Sequence, residues 1–313
     1  MNVVMTAPLL ATEAVRVIEA AGGRLHYMKA YPSAAEVAAF AGEVDAVAIL
    51  TRQGPVTAAA MDAAPRLRII ARHGVGVDDV DVAEAVRRGI LVARAPGSNT
   101  TAVAEHTMAV ILALAKQLGP LGATVAAGGW RGTSAVRDVR GLRLGLLGCG
   151  SIGQAVARLA GAFGMEVAGF SRSGTGGDVP MLGSLRALLE RSDVLSLHLP
   201  MSPATRHLID AAALATLPDA AMVVNTARGG LIDEAALLRA LDSGRLAGAG
   251  LDVFEQEPPA AEDPLRRHPR VIATPHVSGA TPGSLVQMGV MAAESIAAVL
   301  RGEPVRPERL VTA

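Results

Sequence analysis

Six residues in the middle of the chain have the composition and spacing of a phosphate-binding turn. Gly148-Cys149-Gly150-Ser151-Ile152-Gly153 follows the apolar run Leu142–Leu147 and precedes the helix-compatible stretch Gln154–Phe163. In such a strand–turn–helix unit the first glycine permits a tight turn, the second lets the backbone approach a phosphate, and the third allows close packing of helix on strand. The helix N-terminus adds free N–H groups and a partial positive charge. The unit predicts a bound dinucleotide, with contacts from Gly148, Gly150, Ser151, Ile152 and Gly153.

The strand after this turn ends without the acidic residue that usually bonds the ribose hydroxyls of a dinucleotide. The strand predicted at Glu166–Phe170 is followed by Ser171 and Arg172. A carboxylate would repel a 2′-phosphate, whereas serine and arginine can bond it and pair with it. We therefore predict that NADP(H) is favoured. NAD(H) is the alternative if Arg172 is only a solvated loop residue.

Arg228, Glu257 and His276 each follow a different predicted strand. Parallel strands bring their carboxyl ends to one edge of a sheet, where doubly wound folds bind ligands. There, the arginine could bind a substrate carboxylate, and the histidine could donate a proton to a forming alkoxide while the glutamate keeps it charged. Taken singly, the three residues could equally be a surface cation, a solvated carboxylate and a loop histidine. Together they predict the chemistry of a 2-oxo acid reductase.

Short apolar runs alternate with alanine-rich helical stretches along the whole chain, which predicts an α/β protein with parallel sheets covered on both faces. The predicted strands are Ala46–Leu50, Arg68–Ala71, Arg143–Leu147, Glu166–Phe170, Val194–Leu197, Met222–Asn225, Gly248–Val253 and Val271–Ala273. The predicted helices are Thr12–Ala21, Ala58–Ala63, Thr101–Ala115, Ile152–Phe163, Leu185–Arg191, Glu234–Ser243 and Pro282–Arg301.

The dinucleotide turn lies mid-chain, so the residues before it must form an α/β lobe of their own. We predict two doubly wound domains. Residues 98–283 form the dinucleotide-binding domain, and residues 1–97 with 284–313 form a smaller substrate domain to which the last helix returns. A crevice between two lobes is a usual place for a ligand.

Composition excludes several classes of function. The 29 basic and 29 acidic side chains balance, which argues against a nucleic-acid partner or a membrane-surface patch. The single cysteine, Cys149, excludes an intrachain disulfide framework. The longest apolar helical stretch that the sequence suggests, Thr107–Ala115, is too short to cross a bilayer. We predict a cytoplasmic protein with no membrane and no metal site.

Several motifs together make the chain resemble the D-isomer-specific 2-hydroxyacid dehydrogenases over nearly all of its length. They are Gly74-Val75-Gly76-Val77-Asp78, the segment from Asn99 to His106, the glycine turn, His198-Leu199-Pro200, Thr226-Ala227-Arg228-Gly229-Gly230, Asp252–Pro258 and Thr274-Pro275-His276. The resemblance implies a Rossmann-type cofactor domain and a flavodoxin-like substrate domain. It also implies a homodimer formed through the cofactor domain, for which the helix near Asn99 and the segment through Trp130 would supply the contact.

The resemblance also assigns roles. Arg228 would bind the substrate carboxylate and carbonyl, while His276 would be the acid/base, paired with Glu257. The loop Gly74, Val75 and Gly76 would offer backbone N–H groups to the substrate. The nicotinamide half of the cofactor would contact His198, Pro200, Thr205, Thr226, Ala227, Arg228, Asp252 and His276. His106 and His198 are expected to be structural rather than catalytic.

The resemblance implies reduction of a small 2-oxo acid such as hydroxypyruvate or glyoxylate. One alternative is a non-catalytic NAD(H)-sensing scaffold, because some corepressors of similar sequence keep the arginine, glutamate and histidine. Another is a formate-type dehydrogenase. In that group a glutamine replaces the active-site glutamate, so Glu257 argues against it.

Overall fold

The chain folds into two compact units. The structure is a computed structural model that describes residues 1–130 and 136–312. Unit 1 comprises Met1–Asn99 and the segment that starts at Ala280, and unit 2 comprises Thr100–Gly279. The sequence predicted domain boundaries after Gly97 and after Gly283.

Unit 1 is a five-stranded parallel sheet with helices on both faces. Its strand order is β2-β1-β3-β4-β5, which is the flavodoxin-like order. Alternate residues of the strands pack against α1 and α12 on one face and against α2, α3 and α4 on the other. Its strands are β1 Asn2–Met5, β2 Arg24–Tyr27, β3 Ala48–Thr51, β4 Ile69–Arg72 and β5 Leu91–Ala93. Its helices are α1 Thr12–Ala20, α2 Ala34–Glu43, α3 Ala58–Ala63, α4 Val82–Arg87 and α12 Pro282–Arg301.

Unit 2 is a six-stranded parallel sheet with the order β11-β10-β9-β8-β6-β7. Beyond β7, Met181 makes a single parallel bridge with Gly169. If this bridge counts as a reduced third strand, the order is that of a Rossmann domain. The strands are β6 Arg143–Leu147, β7 Glu166–Phe170, β8 Val194–Leu197, β9 Ala221–Asn225, β10 Leu246–Leu251 and β11 Val271–Ala273. The helices are α5 Thr100–Ala115, α6 Leu118–Ala126, α7 Ser151–Ala162, α8 Leu185–Arg191, α9 Ala211–Thr216, α10 Glu234–Asp242 and α11 Pro264–Arg267.

The hydrophobic cores on both faces of the unit 2 sheet explain why several of its strands are continuous apolar runs in the sequence. One face packs against α5 and α7, and the other against α8, α9 and α10. Strands covered on both faces have no solvent side. The predicted fold class, two doubly wound parallel-sheet domains of Rossmann and flavodoxin-like type, is therefore confirmed.

Some elements were not predicted. The sequence pattern missed three strands, β1, β2 and β5, and five helices, α2, α4, α6, α9 and α11. Most of these are short, and α6 carries the breakers Gly119, Pro120 and Gly122. The prediction about apolar length was also wrong. Helix α12 is long and apolar enough to cross a membrane by length and composition, but 61% of its most apolar window is buried within the protein, as in a core helix.

Candidate active site

The carboxyl ends of three adjacent strands of unit 2 carry the proposed acid/base and carboxylate-binding residues. The N–H of Asp252, just after β10, donates to the carbonyl of Asn225 at the end of β9 (3.0 Å). The N–H of His276, after β11, donates in turn to the carbonyl of Asp252 (2.8 Å). These bonds continue the sheet ladder beyond the strands and fix the loops of Arg228 and His276 in register.

Glu257 and His276 are in direct contact. The Oε2 atom of Glu257 lies 2.6 Å from Nδ1 of His276. The second carboxylate oxygen, Oε1, accepts the N–H of Phe254 (3.1 Å). The side chains of Glu257 and His276 are 38% and 50% exposed, so the pair is accessible to a small molecule. A carboxylate at Nδ1 orients the ring and leaves Nε2 as the atom that exchanges a proton.

The loop around His276 is held by Asp252, whose side chain is fully buried. Oδ1 accepts the hydroxyl of Thr274 (2.6 Å) and the N–H of Val277 (2.9 Å), while Oδ2 accepts the N–H of Ser278 (2.8 Å). Three of the four acceptor positions of this carboxylate are therefore used to shape the loop. The contact of Asp252 with the nicotinamide half of the cofactor stays a prediction.

Arg228 lies on the turn that follows β9. The Asn225 side chain shapes this turn, because its Nδ2 donates to the carbonyl of Arg228 (2.8 Å) and its Oδ1 accepts the N–H of Ala227 (3.0 Å). The half-buried guanidinium of Arg228 donates through Nη1 to the carbonyl of Ala227 (2.6 Å). A Cβ at the next residue, Gly229, would overlap the backbone of Phe254 and Glu255. The Arg228 turn therefore packs directly on the loop that leads to Glu257.

The glycine turn passes the test for a dinucleotide cradle. A Cβ on Gly148 would meet the carbonyl oxygen of His198 at 2.5 Å, and one on Gly153 would overlap the carbonyl of Gly148. Gly150, in contrast, faces open space, and no side chain caps helix α7, which starts at Ser151. Gly148 and Gly153 thus allow close packing of the backbone. Gly150 and the helix N-terminus leave open space in which a phosphate group would fit.

Cys149 is buried in this turn, its Sγ packs where a side chain on Gly169 would lie, and burial raises the pKa of its thiol. A buried thiol of raised pKa is inert.

The segment after β7 offers hydroxyls and a guanidinium. Ser171 Oγ donates to the carbonyl of Thr175 (2.8 Å), and Ser173 Oγ lies 2.7 Å from Thr175 Oγ1. Arg172 is exposed, and the first carboxylate after the strand is Asp178. The segment therefore carries hydroxyl and cationic groups at the position where an NAD-specific domain has an acid.

The remaining predicted cofactor contacts surround the same edge of the sheet. His198 follows β8, and its Nε2 lies 2.9 Å from Ser196 Oγ. Desolvation lowers the pKa of His198 to about 4, so its ring is neutral at neutral pH. Thr205 Oγ1 donates to the carbonyl of Pro200 (3.0 Å), which closes the loop after β8.

The predicted substrate loop, Gly74, Val75 and Gly76, belongs to unit 1 and follows β4. Gly74 has a φ of 151°, which favours glycine. Arg72 Nε donates to the carbonyl of Gly76 (2.9 Å). His73, which precedes the loop in sequence, is buried, and burial, reinforced by the charges of Arg52 and Arg72, lowers its pKa to about 4.

Sequence reasoning expected His106 to be structural, and it did not predict Thr107, Arg206, His207 or Glu255 at this edge. His106 and Thr107 of α5 bond to the His276 and Arg228 loops. Glu255 forms an ion pair with Arg206 Nη2 (3.3 Å), and its other carboxylate oxygen lies 3.0 Å from His207 Nε2. The sequence carries two signals for them: His106 ends the segment Asn99–His106, and Glu255 lies within Asp252–Pro258.

The fold and the glycine turn define the class: a dinucleotide-binding α/β protein. A family model described as "D-isomer specific 2-hydroxyacid dehydrogenase, NAD binding domain" matches residues 108–278. The chain therefore belongs to the D-isomer specific 2-hydroxyacid dehydrogenase family and carries an NAD(P)-binding domain. This confirms the resemblance stated from the motifs. No group of three or more potential metal ligands occurs within residues 1–130 and 136–312.

Individual relatives span several activities. The chain is 40% identical to a D-3-phosphoglycerate dehydrogenase of Methanocaldococcus jannaschii over 83% of its own length and 51% of the relative's. It thus spans about half the length of that relative. It is also 40% identical to a glyoxylate reductase of Korarchaeum cryptofilum, over 82% of this chain and 80% of the relative. The crystal structure of D-lactate dehydrogenase from Aquifex aeolicus, complexed with NAD and lactic acid, superposes with a TM-score of 0.86 at 28% identity and 99% coverage of both chains.

Proposed function

We propose that the protein reduces a small 2-oxo acid to the D-2-hydroxy acid, and catalyses the reverse oxidation, with NAD(P)H as hydride donor. The observation that carries the proposal is the Glu257–His276 contact of 2.6 Å, and the Glu257 loop packs against the Arg228 turn. The nicotinamide supplies or accepts the hydride when it is bound. Unit 2 is the proposed cofactor unit and unit 1 the proposed substrate unit.

The proposed roles follow from the chemistry of the side chains. The Arg228 guanidinium offers a planar fork of donors to the carboxylate and the carbonyl oxygen of a 2-oxo acid, and it stays charged at every working pH. His276 holds a proton on Nε2 and delivers it to the carbonyl oxygen as the carbon is reduced. Glu257 balances the imidazolium charge before the transfer and orients the ring throughout. In oxidation, neutral His276 removes the hydroxyl proton. The loop Gly74–Gly76 is proposed to bind substrate through backbone N–H groups.

Two of the relatives' names motivate the choice of substrate. Glyoxylate and hydroxypyruvate are the small 2-oxo acids that we propose, since one relative above is a glyoxylate reductase and a hydroxypyruvate reductase of Thermotoga maritima is 39% identical. A cytoplasmic location without nucleic-acid or membrane partners stays a prediction that rests on the balanced charge.

A matrix of activity measurements tests the proposal. Purified protein is assayed with NADPH and NADH against glyoxylate, hydroxypyruvate, pyruvate and 3-phosphohydroxypyruvate, by loss of the reduced nicotinamide absorbance. We expect turnover with at least one acid, and a kcat about 100-fold lower or more in His276→Gln. His268→Gln is the matched control. His268 also faces a carboxylate, Asp242 (3.4 Å), but lies at the amino end of β11. Binding of cofactor without turnover of any acid would favour the sensing scaffold instead.

We propose NADP(H) as the favoured cofactor. Ser171 and Arg172 directly follow β7, and the first carboxylate after this strand is Asp178. A guanidinium and hydroxyls can bind the 2′-phosphate, which a carboxylate would repel.

A homodimer through the cofactor unit is also proposed. Helix α6 buries none of its residues, and Leu118, Val125 and Trp130 are 59%, 52% and 80% exposed. Exposed apolar side chains so close together are typical of an interaction surface. Light scattering should give twice the mass of one chain, and the mass of a single chain would contradict the proposal.

A further inference from the structure

Two consecutive residues of α5 bond to the two loops of the candidate active site. Nε2 of His106 lies 3.2 Å from Oγ1 of Thr274, which precedes His276 by two residues. Oγ1 of Thr107 lies 3.1 Å from Oγ1 of Thr226, which precedes Arg228 by two residues. One turn of helix therefore contacts the loop of the proposed acid/base and the loop of the proposed carboxylate-binding residue through separate hydroxyls.

The direction of the His106 bond follows from the partners of Thr274. The Thr274 hydroxyl donates its single proton to Oδ1 of Asp252 (2.6 Å). A hydroxyl has only one proton to give. Thr274 must therefore accept from His106, whose Nε2 carries the N–H. The same ring nitrogen lies 3.9 Å from the Asp252 carboxylate.

These hydrogen bonds hold the residues on both sides of His276 in the sequence. Asp252 binds Thr274 before the histidine and the N–H groups of Val277 and Ser278 after it. His276 itself has a φ of 52°. A residue other than glycine keeps this conformation only where its surroundings hold it. The network supplies that restraint, and His106 is its outermost donor.

We propose that His106 is a positioning residue for His276, acting through Thr274 and Asp252. The inference rests on the proposed function, because it assigns His106 to the same proton transfer. Without His106, the Thr274 hydroxyl loses the hydrogen bond that it accepts and that helps to fix its rotamer. The loop that carries the His276 imidazole is then held less firmly in position. Small misplacements of a reacting group cost large factors in rate.

Kinetics of three single variants, and of a double variant compared with His276→Gln, test this role. We expect His106→Ala to lower kcat about tenfold, with KM for the 2-oxo acid and for the cofactor little changed, because the Arg228 loop is untouched. His106→Gln keeps an N–H donor at a similar reach and should restore most of the rate. Thr107→Val removes the bond to the Arg228 loop instead and should raise KM for the 2-oxo acid. His106→Ala should add no further loss to His276→Gln, since the two residues act in one step.

A measurement without turnover separates this inference from the proposed function. The imidazole C–H resonances of His276, assigned by their absence in His276→Gln, should shift in His106→Ala and return in His106→Gln. Inactivity of the wild type would contradict the proposed function alone, because these spectra need no substrate. Unchanged His276 resonances in a folded His106→Ala protein, or losses that multiply in the double variant, would overturn the positioning role.

Discussion

At the scale of single residues, the histidines of this protein divide by environment. His276 is half-exposed and bonded to a carboxylate, so its ring is held in one orientation and is still accessible to a substrate. His198 and His73 are desolvated, and each has a pKa lowered to about 4. These two are neutral at neutral pH and suit packing or hydrogen bonding rather than proton donation. The difference lies in the neighbours, because the residue type is the same.

Replacing Arg172 tests the cofactor proposal at one side chain. We expect Arg172→Ala to raise KM for NADPH about tenfold while KM for NADH changes little, because only the former offers a 2′-phosphate to the guanidinium. Steady-state kinetics with both cofactors measure this. Arg186→Ala is the control, since Arg186 is exposed and paired with Glu190 on α8 (2.7 Å). Equal changes with both cofactors would show that Arg172 does not select between them.

At the scale of elements, residue positions that depend on the ends of strands could be predicted from the sequence. Hydrogen bonds that depend on tertiary contacts could not. Arg228, Glu257 and His276 each follow a strand, and parallel strands share an edge, so their common edge could be predicted. The bond between Glu257 and His276 sits on that edge. The role of Asp252 as acceptor for the His276 loop depends on backbone atoms, which side-chain patterns do not reveal.

Short length, helix-breaking residues and contacts between distant parts of the chain explain the features that the sequence did not predict. Strand β5 is three residues long, too short for a periodic signal. Helix α6 contains two glycines and a proline, which disfavour a helix in isolation, although Pro120 falls in the first turn where proline is tolerated. The contact of His106 with Thr274 joins residues 168 positions apart. No local pattern carries such a contact.

The packing of the Arg228 turn on the Glu257 loop gives a prediction about a pair of neighbouring glycines. A Cβ on Gly229 would overlap the backbone of Phe254 and Glu255, whereas one on Gly230 would meet the flexible end of Met201 at 2.9 Å. We expect Gly229→Ala to lower kcat/KM about 100-fold, because the two loops must separate. Gly230→Ala is the matched control and should stay within about threefold of wild type, since a side-chain end yields more easily than backbone. Similar losses in both variants would contradict the proposed packing.

At the scale of the whole molecule, both units follow one scheme. Each is a parallel sheet with helices on both faces, and each core consists mainly of Ala, Val, Leu, Ile and Met, as the low aromatic content of 2% requires. Each unit also holds one histidine whose pKa is lowered by desolvation, His73 in unit 1 and His198 in unit 2. The acid stability of the whole chain therefore depends on both.

The sign of that dependence follows from proton uptake. Above pH 6.5, the ordinary pKa of histidine, both residues are neutral in the folded and the unfolded chain and contribute no pH dependence. Between pH 6.5 and about 4 the unfolded chain binds protons that the folded chain excludes, so the free energy of unfolding falls as the pH falls. For His73, which is only 6% exposed, the full loss is on the order of 3 kcal/mol. The carboxylates of Glu36 and Glu84, with pKa values lowered to about 2, lose their contribution only at lower pH, below their ordinary 4.5.

Urea unfolding at about pH 7 and about pH 4.5, followed by circular dichroism, measures this loss. We expect the wild-type protein to lose stability between these two pH values, His73→Gln to lose less, and the double variant with His198→Gln to lose least. Each substitution removes one group that binds a proton in the unfolded chain but not in the folded chain. The comparison concerns the change with pH within each variant, so a packing cost of the substitution itself cancels. If the double variant lost as much stability between these two pH values as the wild type, the two histidines would not be the groups that exclude protons in the fold, and the loss would have to arise from other titratable groups.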